Sequence, residues 1–205
     1  GHAIAGVIGR PVVWDFRSED VASGGEGAPL AAFFHLACAK WTGAKVPLVI
    51  LNLGGVGNLT WINPSKSKAE DQGALLAFDT GPANAPINDM MRARPGVDMD
   101  EGGAIAATGR VQEHVLKVVA LDPYFCKIPP KSLDRNTFVT ILDLVKECSN
   151  ADAVATLTAI CAMGVMSALK FCPSPPQRIL VTGGGRHNRA MMQMISAGVA
   201  CPVVA

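Results

Sequence analysis

The stretch Val46–Thr60, VPLVILNLGGVGNLT, limits the possible fold more than any other part of the chain. The apolar run Leu48–Leu53 drives straight into Gly54-Gly55, and a second run follows at Leu59–Ile62. That order predicts strand, glycine turn, strand. The glycines then serve either the turn alone or a second purpose, letting backbone N–H groups approach an anion that any side chain would hold away. Asn52, Asn58 and Thr60 are small polar residues set among residues that otherwise read as core.

A chain of 205 residues makes one large domain, or one domain with part of another. With 49% hydrophobic and 17% charged residues it has enough apolar matter for a full core. The net charge of +1 supplies no bulk field for nucleic acid or an anionic membrane. Nucleic-acid binding is also expected to lack a basic patch and exposed aromatics, Tyr124 being the single tyrosine. The six cysteines form no CxxC pair and have no zinc-like spacing with histidine, so they read as reduced core residues of a cytoplasmic protein. No metal ligand set is assigned. Ala153–Leu169 is uncharged, near the lower limit for a membrane span, yet its Ala, Thr, Gly and Ser content predicts a buried core helix.

Taken in order, Arg10–Arg17 predicts a short strand running into a charged turn, followed by the Gly24–Pro29 loop. Pro29 suits a first helical position, and Leu30–Trp41, carrying His35, predicts a helix. Asn63–Gly73 is surface loop. Leu75–Phe78 predicts a strand ending at Asp79-Thr80-Gly81-Pro82-Ala83-Asn84, where Asp79 is placed either as a general base or as a cap for a helix near residues 87–93. Asp89 on that helix is either metal-linked or simply exposed. Residues 97–109 fail the calcium-loop spacing. Val111–Leu121 predicts a helix, and Asp122–Arg135 an extended, proline-stiffened loop. Its Lys131, Ser132 and Arg135 either face an anion or are solvated loop charges. Asn136–Glu147 and Asp152–Phe171 predict helices. Arg178–Val181 predicts a strand ending in Thr182-Gly183-Gly184-Gly185, with a helix following from about Arg189. Glycines between strand and helix expose amides fit for a nucleotide, although neither GxGxxG nor the Walker pattern occurs. The closing CPVVA reads as a strand entering a domain, so the chain is expected to be a piece of a longer one.

In this order the stretches PVVWDFRSEDVASGGEGAPL, LNLGGVGNLT, FDTGPAN, PYFCKIPPKSLDR, ADAVATLTA and VTGGGRHN resemble the anhydro-N-acetylmuramic acid kinase family, within the actin-like superfamily of sugar kinases. The resemblance covers nearly the whole chain. It implies an α/β fold, the actin-like ATPase (ribonuclease H-like) domain, with a mixed sheet flanked by helices. Residues 1–46 would be the C-terminal part of the first domain, and residues 47–205 the second domain, short of its C-terminal end. By the same resemblance Asp79 is the catalytic residue. Asn52, Gly54, Gly55, Thr182, Gly183, Gly184, Gly185 and Asn188 bind ATP, with Mg²⁺. Arg17, Gly24, Gly25, Glu26, Gly27, His35 and Asn84 face the sugar, anhydro-N-acetylmuramic acid. The implied product is N-acetylmuramic acid 6-phosphate, in cell-wall recycling, and relatives suggest a homodimer.

Two positions depart from the family's usual pattern: Ala83 stands where glycine is common, and Glu26 where glutamine is. Alanine is disfavoured there if the turn requires φ > 0, and Glu26 adds negative charge beside the sugar. The family's first phosphate loop is expected before Gly1 and a helix carrying a Glu after Ala205, so the isolated chain is expected to show little or no kinase activity. The alternatives are a kinase for a related anhydro sugar such as levoglucosan, or a non-catalytic nucleotide-binding module.

Overall fold

A computed structural model describes all 205 residues. Five strands form one mixed sheet. β1 (Leu48–Leu53) and β2 (Val56–Ile62) make the expected hairpin, and β3 (Leu75–Pro82) pairs antiparallel with β2. β4 (Ile179–Thr182) is parallel to β1 and β5 (Val203–Val204) to β4, giving the order β3-β2-β1-β4-β5. Around the sheet lie α1 (His2–Ile8), α2 (Phe16–Ala22), α3 (Ala32–Trp41), α4 (Asn84–Ala93), α5 (Glu113–Ala120), α6 (Pro123–Cys126), α7 (Ile141–Leu144), α8 (Asn150–Leu169) and α9 (Arg189–Gly198).

Period-two alternation decides what each face meets. Val49, Leu51 and Leu53 of β1, Leu59 and Trp61 of β2 and Phe78 of β3 point to one face, where α4, α5, α8 and α9 complete the main core. On the opposite face Leu48 and Ile62 pack with Leu36 and Ala39 of α3 in a smaller cluster. α8 is apolar enough to cross a membrane by composition, but most of it is buried between the sheet and its neighbouring helices. Ser149 starts it, its hydroxyl accepting from Asp152 N at 3.1 Å.

Several local expectations fail. Arg10–Arg17 is not a strand: Asp15 takes a left-handed conformation (φ 64°) and Phe16 begins α2. Val13 and Trp14 stay exposed, so the alternation there finds no partner strand. Pro29 is not a first helical residue, because α3 begins at Ala32. The proline-rich loop is extended only after the single turn α6, where Asp122 caps Tyr124 N. Asn136–Glu147 yields one helical turn, α7, among looser turns. The short N-terminal helix α1 had no signal in the sequence. The final strand is present as β5, at the sheet's edge.

Candidate active site

Four polar side chains cross the sheet in one line. Thr182 is paired with Asn52, Asn52 with Asn58, and Asn58 with Asp79, on four neighbouring strands. Directly paired residues project to the same face, so the line lies on the α3 side, beyond the small cluster around Leu36. At about 4.8 Å per strand it spans roughly 14 Å. Thr182 Oγ1 lies 3.5 Å from Asn52 Oδ1.

At one end of this line the two glycine turns press together. Gly183 has φ 79°, and a Cβ there would lie 2.6 Å from Asn52 Oδ1 and 2.7 Å from the Leu53 carbonyl. No side chain fits that approach. The Gly54-Gly55 turn is tied in its turn to the start of α4. Gly55 O accepts from Ala83 N at 3.0 Å and Ala85 N at 3.1 Å, and Gly54 O accepts from Asn84 N at 2.9 Å. Asn84 Nδ2 donates to the carbonyls of Leu53 and Gly54, both at 2.9 Å. Ala83 has φ −127°, so the position does not take the positive φ that would call for glycine. The positive φ in that turn belongs to Gly81, at 147°.

These turns border a cavity of about 390 Å³, with Gly54, Gly55, Asn84, Gly184 and Asn188 in its wall beside Arg92, Asp100 and Arg135. A Cβ on Gly184 would meet no protein atom within 4 Å and would stand in the cavity itself. The cradle therefore suits a group that approaches bare backbone. Asn188 caps α9, its Oδ1 accepting from Met191 N at 2.9 Å. Asp100 binds the amides of Ile105 and Ala106 with its two oxygens. No three of His, Cys, Asp and Glu converge anywhere, so the chain builds no carboxylate cage for Mg²⁺. Asp89 is an ion-pair partner, 2.6 Å from Arg135 and 3.4 Å from Arg92.

Asp79 does not cap α4 and does not line this cavity. It is 6% exposed, with Oδ2 accepting from Leu133 N at 2.7 Å. Oδ1 has no hydrogen-bond partner in the chain and is not sealed from solvent. Burial raises the carboxyl pKa above its usual value, while the Leu133 amide and the Arg17 guanidinium pull it back in part. Arg17 thus lies within electrostatic reach of Asp79. The Gly24–Gly27 loop folds onto α2, with Gly25 N donating to Asp20 O at 2.8 Å and Gly27 N to Asp20 Oδ2 at 2.7 Å. That places Glu26 beside the 124–133 segment, where Ser132 Oγ donates to it at 3.2 Å.

Two groupings result. Asn52, Gly54, Gly55, Asn84, Gly184 and Asn188 gather at the glycine turns, with Thr182, Gly183 and Gly185 packed behind them. Asp79, Arg17, Glu26 and their loop gather at the other end of the polar line. Asn84 therefore sits with the glycine turns rather than beside Arg17. His35 belongs to neither group: its Nδ1 lies 2.9 Å from Thr60 Oγ1, and burial lowers its pKa. Lys131 faces no anion, being 2% exposed with Nζ on the Tyr124 carbonyl. Arg92 and Asp100 are cavity residues that the sequence reading did not single out, since only the fold brings them to the glycine turns. A larger apolar hollow of about 560 Å³, near Met166, Cys172 and Cys201, lies away from both groupings.

The family model described as anhydro-N-acetylmuramic acid kinase matches residues 2–203. A protein of that name from Ruegeria sp. (strain TM1040) is 58% identical over 99% of this chain and 54% of its own length. Another, from Roseobacter denitrificans, is 57% identical with the same coverage. The chain thus spans about half the length of the curated relatives it matches, 54% in both cases. Among solved structures, xylulose kinase from Rhodospirillum rubrum aligns with a TM-score of 0.51 at 18% identity, over 82% of this chain and 37% of that one. That likeness fixes the fold as the actin-like, sugar-kinase type. By sequence, the chain belongs to the anhydro-N-acetylmuramic acid kinase family.

Proposed function

We propose that this chain is part of an ATP-dependent kinase that opens the 1,6-anhydro bridge of anhydro-N-acetylmuramic acid and phosphorylates O6. The product is N-acetylmuramic acid 6-phosphate, which returns cell-wall sugar to metabolism. The observation that carries this reading is Asp79, with one oxygen fixed by the Leu133 amide and the other left open, on the same sheet line as the glycine turns.

The chemistry follows from that carboxylate. Ionised Asp79 accepts a proton from a water whose oxygen attacks the anomeric carbon. The bond from that carbon to O6 breaks, and the released O6 takes the γ-phosphoryl group of ATP. Arg17 favours the ionised base, and the Gly24–Gly27 loop with Glu26 borders the sugar. Gly54 and Gly55 offer amides to the phosphates, and the Thr182–Gly185 turn with Asn188 lies against the adenosine. His35, bonded to Thr60 on the α3 side of the sheet, supports that face from outside both groupings. Mg²⁺ would neutralise charge on the transferring phosphates when bound, beside the Gly54 and Gly55 amides.

Residues 1–46 are read as the tail of a first domain and residues 47–205 as most of a second. Exposed Trp14, Phe16, Phe33, Phe34 and Trp41 in the first segment support that division. Because the relatives are nearly twice as long, turnover by this chain alone is expected to be negligible. A cytoplasmic location, where ATP is available, and a homodimeric assembly belong to the same reading. A related anhydro sugar such as levoglucosan is the second reading, motivated by the charge of Glu26.

The test compares ATP consumption, with and without anhydro-N-acetylmuramic acid, by this chain and by the full-length protein that contains it. Sugar-dependent ADP release by the long form only is expected. Equal turnover by the short form would refute the incomplete-site reading, and release by neither would refute the substrate assignment. Levoglucosan in the same assay separates the two sugars.

A further inference from the structure

Lys131 is a buried charge that the chemistry above leaves unused. It is 2% exposed and has no carboxylate partner among the ion pairs. Its ammonium sits in an aromatic box, with Nζ 4.6 Å from the Tyr124 ring centroid, 4.7 Å from that of Phe171 and 5.6 Å from that of Phe78. It donates to the Tyr124 carbonyl at 3.0 Å. Such faces attract a cation most strongly where water is excluded.

What the box holds in place is Asp79. β3 is an outermost strand, so backbone groups on its free edge have no strand to serve them. At Asp79 both groups are taken by the segment that forms the box: Asp79 N donates to Lys131 O at 3.1 Å, and Tyr124 Oη donates to Asp79 O at 2.6 Å. The same segment supplies the Leu133 amide to the carboxylate. No other residue of β3 exchanges a hydrogen bond with residues 124–133, so the contacts converge on the one residue whose orientation matters.

We infer that Tyr124 and Lys131 are positioning residues: an ammonium boxed by aromatic rings locks residues 124–133 against the free edge of β3 and so aims the Asp79 carboxylate. The inference rests on the reading of Asp79 as the base. Loss of the charge lets the segment slide and the Leu133 amide drift from Oδ2, which degrades alignment rather than substrate binding. A misplacement of about 1 Å is worth up to about 100-fold in rate.

The test uses the full-length protein with Tyr124→Phe, Lys131→Met, Lys131→Arg and Asp79→Asn. Tyr124→Phe and Lys131→Met are expected to lower kcat by about 10–100-fold, with the sugar KM and the nucleotide Kd within about twofold of the parent. Lys131→Arg, which keeps the cation in the box, should recover most of kcat. Normal kcat in either Tyr124→Phe or Lys131→Met overturns the clamp. So does a loss in which KM and Kd worsen in parallel with kcat, the pattern of a merely structural role. If Lys131→Met does not fold, Tyr124→Phe decides, since it removes one oxygen and leaves the box intact. Asp79→Asn separates the two levels: retained turnover there overturns the base assignment and the clamp together. An inactive Asp79→Asn beside normal Tyr124→Phe overturns the clamp alone.

Discussion

Asn58 stands directly opposite Asp79 across the β2–β3 pair, next to a register shift between Gly57 and Asn58. The Asp79 N–H and C=O point away from β2, toward Lys131 and Tyr124, so the two residues form a non-hydrogen-bonded pair with closely spaced side chains. A second carboxylate at position 58 would therefore crowd the first. Asn58→Asp in the full-length protein is expected to raise the acid limb of the kcat–pH profile by about one unit or more. An unmoved limb would mean that Asp79 is not the group whose ionisation controls turnover.

Arg17 acts on the same carboxyl with the opposite sign. Its charge lowers the Asp79 pKa against the upward push of burial. Removing the charge in Arg17→Gln should move the acid limb upward, by less than Asn58→Asp does. The shift should shrink in high salt, because Arg17 itself is exposed.

Asp79→Asn should separate turnover from stability. Loss of a general base costs about 10²–10⁴-fold in rate, while ATP binding, measured by calorimetry, should be retained. Because the folded-state pKa is raised, the unfolded chain gives up this proton at lower pH than the folded one does. The folded state's advantage is present below the unfolded pKa and is lost as pH rises through the folded value. At neutral pH the ionised Asp79 is thus a cost, so Asp79→Asn should melt higher than the parent near pH 7. That gain should vanish once the pH falls below the carboxyl pKa of the unfolded chain. A lower Tm at neutral pH would contradict the burial account.

Gly183→Ala tests the contact between the glycine turns. Its φ of 79° and the closeness of Asn52 Oδ1 and Leu53 O leave no room for a methyl group. The substitution should cost about 1–3 kcal/mol of stability and weaken nucleotide binding. Gly43→Ala, also at positive φ (73°) but in open space, supplies the control for backbone strain alone.

Thiol chemistry reports on the core. Burial pushes the Cys161 and Cys172 thiols up to about 12. Cys126 is exposed. Iodoacetamide at mildly alkaline pH should label Cys126 first and leave Cys161 unmodified until the protein unfolds, as read by peptide mass spectrometry.

The parts of the molecule that were legible in the sequence share one property: their signal is local. An apolar run into Gly54-Gly55 and Val181-Thr182 before three glycines each announce a strand end by themselves. The uncharged run inside α8 does the same for a core helix. Where local pattern and tertiary context disagree, the reading fails. The strand expected to stop at Phe78 runs on through Asp79 to Pro82, because Gly81 and Pro82 still pair with β2. Val12–Phe16 has the composition of a strand, but no neighbouring strand comes to it, and Asp15 turns the chain into α2 instead. Lys131, open in the sequence between an anion contact and a solvated loop charge, is neither, because its box is assembled from Phe78, Tyr124 and Phe171, far apart in the chain. The cavity's Arg92 and Asp100 were hidden for the same reason, and the polar line from Thr182 to Asp79 exists only once the strand order is known.

The bare aromatic side chains along the first 41 residues have a practical outcome for anyone handling this chain by itself. Trp41 is 88% exposed and Phe34 68%, with Phe33 and Phe16 similarly uncovered. Such a surface is adhesive in water. Light scattering should therefore rise with protein concentration, and a mild non-ionic detergent should reverse it, well before any unfolding is visible by circular dichroism.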